Sequence, residues 1–223
     1  MGETLLKLVE EYSREQMGRP GLYGWPHVQR VLRLCEKIAE NQNCGVDVEV
    51  LRIAALLHDV AKRFEGDDPK VDHGQRGAEM AEAFLRKLGL AEPKIRAVCH
   101  AIKAHTHYEE AKTIEAKILH DADFIDKLGA TGIATIFIKA CLTNQTIEEV
   151  LENYYSEGGK SYVIKHIQWI KKPHLYTAIA KEIAEKRNKI AHVFFEQLRK
   201  EIKLNFKNKP SLTKPISSTH NIY

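Results

Sequence analysis

The chain has 223 residues and a formal net charge of only +4. That length suits one domain with a buried core, and so even a balance of charge makes no case for a nucleic-acid partner or a membrane surface. No apolar run is long enough to cross a bilayer, and the first residues lack a signal-peptide pattern. The four cysteines, Cys35, Cys44, Cys99 and Cys141, have no CxxC spacing. A zinc ribbon and a disulfide scaffold are therefore not expected; a cytoplasmic, reducing compartment is, with the cysteines packed in or near the core.

Apolar residues recur with helical spacing almost throughout. Leu5, Leu8, Val9 and Tyr12 mark a first helix, and Val28, Val31, Leu32, Cys35, Ile38 and Ala39 a second, with Pro26 in its first turn. Val48, Leu51 and Ala55 begin a third that runs on through the apolar stretch Ile53–Leu57. Ala78, Ala81, Phe84, Leu85 and Leu88 give a fourth, closed by Gly89. Another starts near Pro93 and carries Ile95, Val98, Cys99 and Ile102. A long helix follows from about Ile114 through Leu128, then a shorter piece at Ile147, Val150 and Leu151, and a last long helix from Leu175 to Leu204. Three segments break the pattern: Arg63 to Gly74, Ser156 to Ser161, and Asn205 to Tyr223. No stretch alternates with period two. The expected fold is all-α, a single helical bundle over residues 1–204 with a loose tail over 205–223.

The third helix carries His58 and Asp59 directly after five apolar residues, and so is expected to take an imidazole and a carboxylate into the core. A buried carboxylate without a partner is too costly to keep, and a divalent metal would neutralise it while using the histidine as well. Further ligands are available at His27 and Asp123. Two neutral imidazoles and two carboxylates balance a divalent cation. Such mixed nitrogen and oxygen donors suit Mn first, and Co, Ni, Fe or Zn, with Mg less natural. Water on such an ion loses its proton more easily, and the ion polarises a phosphoryl oxygen. Each residue has a plainer role open to it: His27 at a helix start, Asp123 on a solvated acidic face of His120–Lys127.

The set of His27, His58-Asp59 and Asp123, in the contexts Trp25-Pro26-His27-Val28, Ala54–Val60 and Asp121–Asp126, resembles the HD-domain metal-dependent phosphohydrolases. The similarity extends to small stand-alone members that include nucleoside-triphosphate pyrophosphohydrolases, at Asp72-His73-Gly74, Ala101–His105, Leu128–Ile133 and Ala184–Arg187. The resemblance implies an HD-domain helical bundle with His27, His58, Asp59 and Asp123 as the metal ligands. Asp121 and Asp126 become candidates for orienting those ligands from behind, with surface roles equally open.

Lys62, three positions after Asp59, is expected to project from nearly the same helical face and to bind or stabilise phosphate. HD-type nucleoside monophosphatases usually have a glutamate there, so the lysine weakens that assignment; HD-type cyclic-dinucleotide phosphodiesterases carry a similar His-Asp-x-x-Lys. His73 and His105 are expected to act in catalysis or in binding phosphate around a single ion, although binuclear relatives use two such histidines for a second metal. Lys165 and His166 join the substrate-binding candidates through the same resemblance. His100 and His120 are read as structural.

The expected function is metal-dependent hydrolysis of a phosphorylated small molecule, a nucleotide first. The favoured reaction releases pyrophosphate from a ribo- or deoxyribonucleoside triphosphate. A phosphomonoesterase or phosphodiesterase on the same metal is the alternative, and a metal-binding helical signalling module without turnover is a third reading. A homo-oligomer is compatible with the sequence.

Overall fold

A computed structural model describes residues 2–17, 22–42, 45–65, 72–106, 109–156, 167–168 and 171–206. Among these residues there is no strand; besides helical residues at 167, 168 and 171, ten helices have both ends described. They are α1 (Gly2–Met17), α2 (Trp25–Ala39), α3 (Val48–Leu57), α4 (Lys62–Glu65), α5 (His73–Lys87), α6 (Glu92–Ala104), α7 (Ile114–Asp126), α8 (Gly129–Leu142), α9 (Ile147–Tyr155) and α10 (Ala178–Phe206). The all-α expectation holds.

Local chemistry sets most of the boundaries. Side chains of Asp47, Asp72 and Thr113 accept from the backbone N–H groups of Val50, Gln75 and Ala116 and so cap α3, α5 and α7. Thr146 and Glu149 form a reciprocal capping box at α9. Gly89, at φ +72, closes α5 while Leu90 N–H donates to the carbonyl of Leu85.

Several boundaries differ from the sequence expectation. Helix α3 stops at Leu57, so His58 and Asp59 lie on a turn and Lys62 opens the separate short helix α4 rather than extending the face of α3. The stretch Arg63 to Gly74, expected to be irregular, contributes helix at both ends, in α4 and in the first turn of α5. Residues 129–142, which carried no helix expectation, form α8. Helix α10 continues to Phe206; residues 157–161 and 207–223, in the expected loop and tail, lie outside the described residues.

Helix α7 is the central post. Apart from Lys117 it is buried from Glu115 to Asp126, with α2, α3 and α6 packed around it and α10 beside it. Helix α5 lies on α6, α1 on α3, and α10 also holds α8 and α9. A Cβ on Gly74 would sit 2.7 Å from the side chain of Thr106, so the glycine lets the start of α5 approach the end of α6. That approach brings the His73 and His105 rings to 5.2 Å between centroids. Of the cysteines, Cys35 is buried, Cys99 half-buried and Cys141 exposed; Cys44 is outside the described residues.

Candidate metal centre

Helix ends converge on one buried cluster. His27 comes from the first turn of α2, His58 and Asp59 from the turn after α3, His73 from the first residue of α5, His105 from the residue after α6, and Asp123 and Asp126 from the last turns of α7. All are buried except His73, which is half-buried.

Three imidazoles are fixed in the same way. His58 Nδ1 lies 2.8 Å from the carbonyl of Ala55, His105 Nδ1 2.5 Å from that of Ile102, and His27 Nδ1 2.7 Å from Asp126 Oδ2. A carbonyl or carboxylate can only accept, so Nδ1 carries the proton in each. In the neutral rings this leaves a lone pair on Nε2. The Nε2 atoms of His27, His58 and His105 are buried with no hydrogen-bond partner. On His58 and His105 these are orphaned acceptors, rare unless something else satisfies them, while Nε2 of His27 faces Asp123 Oδ1.

The carboxylates lie where an ion would join them. Asp59 Oδ2 is 3.6 Å from both His27 Nε2 and His58 Nε2, whereas Asp59 Oδ1 is 3.4 Å from His73 Nε2 and 3.7 Å from His105 Nε2. Asp123 Oδ1 is 3.1 Å from His27 Nε2 and 4.0 Å from His58 Nε2, and its Oδ2 accepts from Lys127 Nζ at 2.6 Å. Two donor groups therefore meet at Asp59: His27, His58 and Asp59 on one side, and Asp59, His73 and His105 on the other. Asp123 adds an oxygen to the first.

The electrostatics follow from burial against charge. Burial opposes ionisation of Asp59 and Asp123. Nearby His58, His105 and Lys62 outweigh it at Asp59, as Lys127 and His27 do at Asp123, so both carboxyls are held well below the usual range. Burial pulls the pKa of His58 down to about 4. It works against a charged His27 too, but the carboxylates of Asp123 and Asp126 prevail and raise that histidine to about 9. The donor types and the orphaned nitrogens fit a divalent ion.

The structure separates the two aspartates expected to orient ligands. Asp126 does touch one: it accepts from His27 Nδ1 and is gripped by Arg30, with Nε at 2.7 Å and Nη2 at 2.9 Å. Asp121 points the other way. Its carboxylate accepts from the backbone N–H of Tyr176 and of Thr177 and from the Thr177 hydroxyl, at 2.9, 2.8 and 2.7 Å, just ahead of α10. Asp121 is therefore an anchor for α10, because these donors leave it turned from the histidines.

Lys62 reaches the cluster from α4, its Nζ 3.3 Å from His73 Nε2. Lys165 and His166 lie outside the described residues. His100 is tied to Glu109 and to the backbone of Lys112, and His120 to the carbonyl of His174, so neither joins the cluster. Arg30, Lys127, Lys139 and Tyr23 were not among the sequence candidates. The spacing of Asp123 and Lys127, four residues apart across the end of α7, was a readable signal.

The chain resembles known proteins in sequence and in fold. Residues 24–128 match the family model described as HD domain. The chain is 28% identical over 189 residues to the uncharacterized protein YpgQ of Bacillus subtilis, covering 81% of this chain and 84% of that protein. It is 38% identical over 81 residues to ribonuclease Y of Chloroflexus aurantiacus, a match that spans 36% of this chain but only 14% of that enzyme. Among solved structures, a predicted HD superfamily hydrolase from an uncultured Thermotogales bacterium aligns with TM-score 0.63 and 25% identity, over 87% of this chain and 91% of that one. Bacillus subtilis YpgQ in complex with ADP aligns with TM-score 0.63 and 25% identity, over 87% and 97%.

Proposed function

We propose that the chain is a metal-dependent phosphohydrolase of the HD-domain kind, which the match of residues 24–128 and the hydrolase neighbour support, and that it hydrolyses a nucleoside triphosphate and releases pyrophosphate, using two divalent ions, manganese first, to which Asp59 would be a common ligand. The observation that carries the two-ion reading is the pair of donor groups that divide the Asp59 oxygens between them, together with the orphaned Nε2 of His105. With Nδ1–H donating to Ile102, a neutral His105 offers a lone pair at Nε2 and no proton. It is thereby better suited to hold an ion than to protonate a leaving group.

His27, His58, Asp59 and Asp123 would hold the first ion, and Asp59, His73 and His105 the second. Ions there supply Lewis acidity toward a phosphoryl oxygen and make water a readier nucleophile at neutral pH. Asp126 keeps the His27 ring turned toward the centre, with Arg30 fixing Asp126 in turn. Lys62, beside His73, can hold charge developing on the phosphoryl oxygens.

Support for a nucleotide comes from the YpgQ relative, whose structure holds ADP; lysine at position 62, where HD-type nucleoside monophosphatases usually have glutamate, weighs against a monophosphate as the substrate. The test is a panel of nucleoside tri-, di- and monophosphates and cyclic dinucleotides with Mn, Co, Ni and Mg, with products identified. Pyrophosphate from a triphosphate supports the reading. Orthophosphate from a monophosphate, or a linearised cyclic dinucleotide, makes the enzyme a phosphomonoesterase or a phosphodiesterase instead. Asp59→Ala must abolish turnover. Metal analysis should give about two ions per chain, falling to about one in His105→Ala; one ion in both proteins refutes the shared-carboxylate arrangement.

A further inference from the structure

Beside the metal centre, three lysines from three parts of the chain meet at one aromatic ring. Lys139 Nζ lies 5.0 Å from the Tyr23 ring centroid, Lys127 Nζ 5.5 Å and Lys62 Nζ 5.8 Å. Tyr23 in turn stands edge-on to His27, with ring centroids 5.3 Å apart. Lys127 reaches Asp123 and Lys62 reaches His73, so the lysines border both donor groups. Lys139 is 4% exposed on α8, which is unusual for a lysine.

We propose that Lys127 and Lys139, with Lys62 and Tyr23, form a polyphosphate cradle that binds the phosphates of the substrate other than the one attacked. The inference rests on the reading that this centre hydrolyses a phosphorylated compound, and it adds the basis of selection among such compounds: the number of phosphates. The π face of Tyr23 attracts each ammonium and so helps to gather them. One phosphate chain laid there can meet several of these cations, while a single phosphate cannot. Lys127 has a further geometric part. By holding Asp123 Oδ2 it leaves Oδ1 toward His27, so the same ammonium touches a proposed ion ligand and the cradle.

The experiment uses the manganese-loaded protein and two variants, Lys139→Met, which keeps the buried stem, and Lys127→Gln, at a more exposed position. Thermal melts establish that each folds. Two readouts are taken: kcat/KM on a nucleoside triphosphate, on the diphosphate and on bis(4-nitrophenyl) phosphate, and calorimetric affinity for inorganic tripolyphosphate and for orthophosphate. Loss of one charge-assisted contact should cost about 10- to 100-fold on the triphosphate and on tripolyphosphate binding, with losses on the single-phosphate ester and on orthophosphate about tenfold smaller. Equal losses on every substrate and anion, or none, would overturn the cradle. Should the wild type turn over no triphosphate, the proposed reaction fails, and tripolyphosphate binding then decides the cradle separately. An active wild type whose variants keep full preference for the triphosphate leaves the reaction standing and removes the cradle.

Discussion

Asp121 and Asp126 sit five residues apart on α7, equally buried, and the geometry assigns them opposite consequences. In Asp121→Ala three donors lose their acceptor: Tyr176 N–H, Thr177 N–H and the Thr177 hydroxyl. Each bond to a charged acceptor contributes about 1.5–3 kcal/mol. Part of that loss is regained by the half-buried Tyr176 amide, which can turn to water, so about 4 kcal/mol is a reasonable total. For a chain of this size that lowers Tm by roughly 8–16 °C. Ion affinity should hardly move, because nothing in this contact reaches the histidines. Asp126→Asn should do the reverse. Its amide is a weaker acceptor for His27 Nδ1–H and loses the ion pair with Arg30, so manganese affinity should fall about 10- to 100-fold. Calorimetric manganese titration beside thermal melts of the two variants reads both effects. If Asp121→Ala weakens manganese as much as Asp126→Asn does while melting near the wild type, the assignment of Asp121 to the α10 anchor is wrong.

Three further outcomes follow from the same geometry. Gly129 has φ +66 and an added Cβ would stand 2.9 Å from Arg187 Cβ, so Gly129→Ala should cost about 1–3 kcal/mol in urea unfolding; an unchanged midpoint would mean that the α7–α8 junction relaxes freely. In the metal-free protein His58, lowered from 6.5 to about 4, contributes stability that is complete above pH 6.5 and is lost as pH falls through 4. His27, raised from 6.5 to about 9, contributes stability that is complete below pH 6.5 and is lost as pH rises through 9. Melting temperature against pH should therefore decline on both flanks, and His58→Gln should flatten only the part of the acid flank between pH 6.5 and about 4, because the lowered Asp59 and Asp123 carboxyls keep their own loss below it. Because His27 must be neutral to bind an ion, manganese binding at pH 7 should release about one proton, measurable by titration in buffers of different ionisation enthalpy; no release would contradict a charged His27 in the metal-free state.

Periodicity made most of the helices legible, since their apolar faces are continuous and their ends carry Pro26, Gly89 or Pro93. Helix α8 was not legible. Gly129-Ala-Thr-Gly-Ile-Ala-Thr-Ile-Phe-Ile is rich in glycine and β-branched residues, poor helix formers that give way here to packing against α10. The aspartates of α7 read equally well as a solvated face, because sequence cannot tell that other helices surround this one on all sides. Lys139 escaped notice for a related reason. Its significance lies in Tyr23, which only the folded chain brings to it.

One local device recurs at the centre. His58 caps the C-terminus of α3 and His105 that of α6, and each ring uses the carbonyl three residues back, Ala55 or Ile102. Carbonyls in the last turn of a helix have no partner further along the helix, so they are free to fix an imidazole tautomer in a way that mid-helix carbonyls are not. The termination of α3 at Leu57 is thus part of the chemistry. Had the helix continued, the Ala55 carbonyl would have been drawn into its ladder, and His58 and Asp59 would have diverged by about 100° around the axis. Ending the helix frees that acceptor, lets the neighbouring pair face one point, and directs the negative ends of two helix dipoles toward the place where a cation is expected.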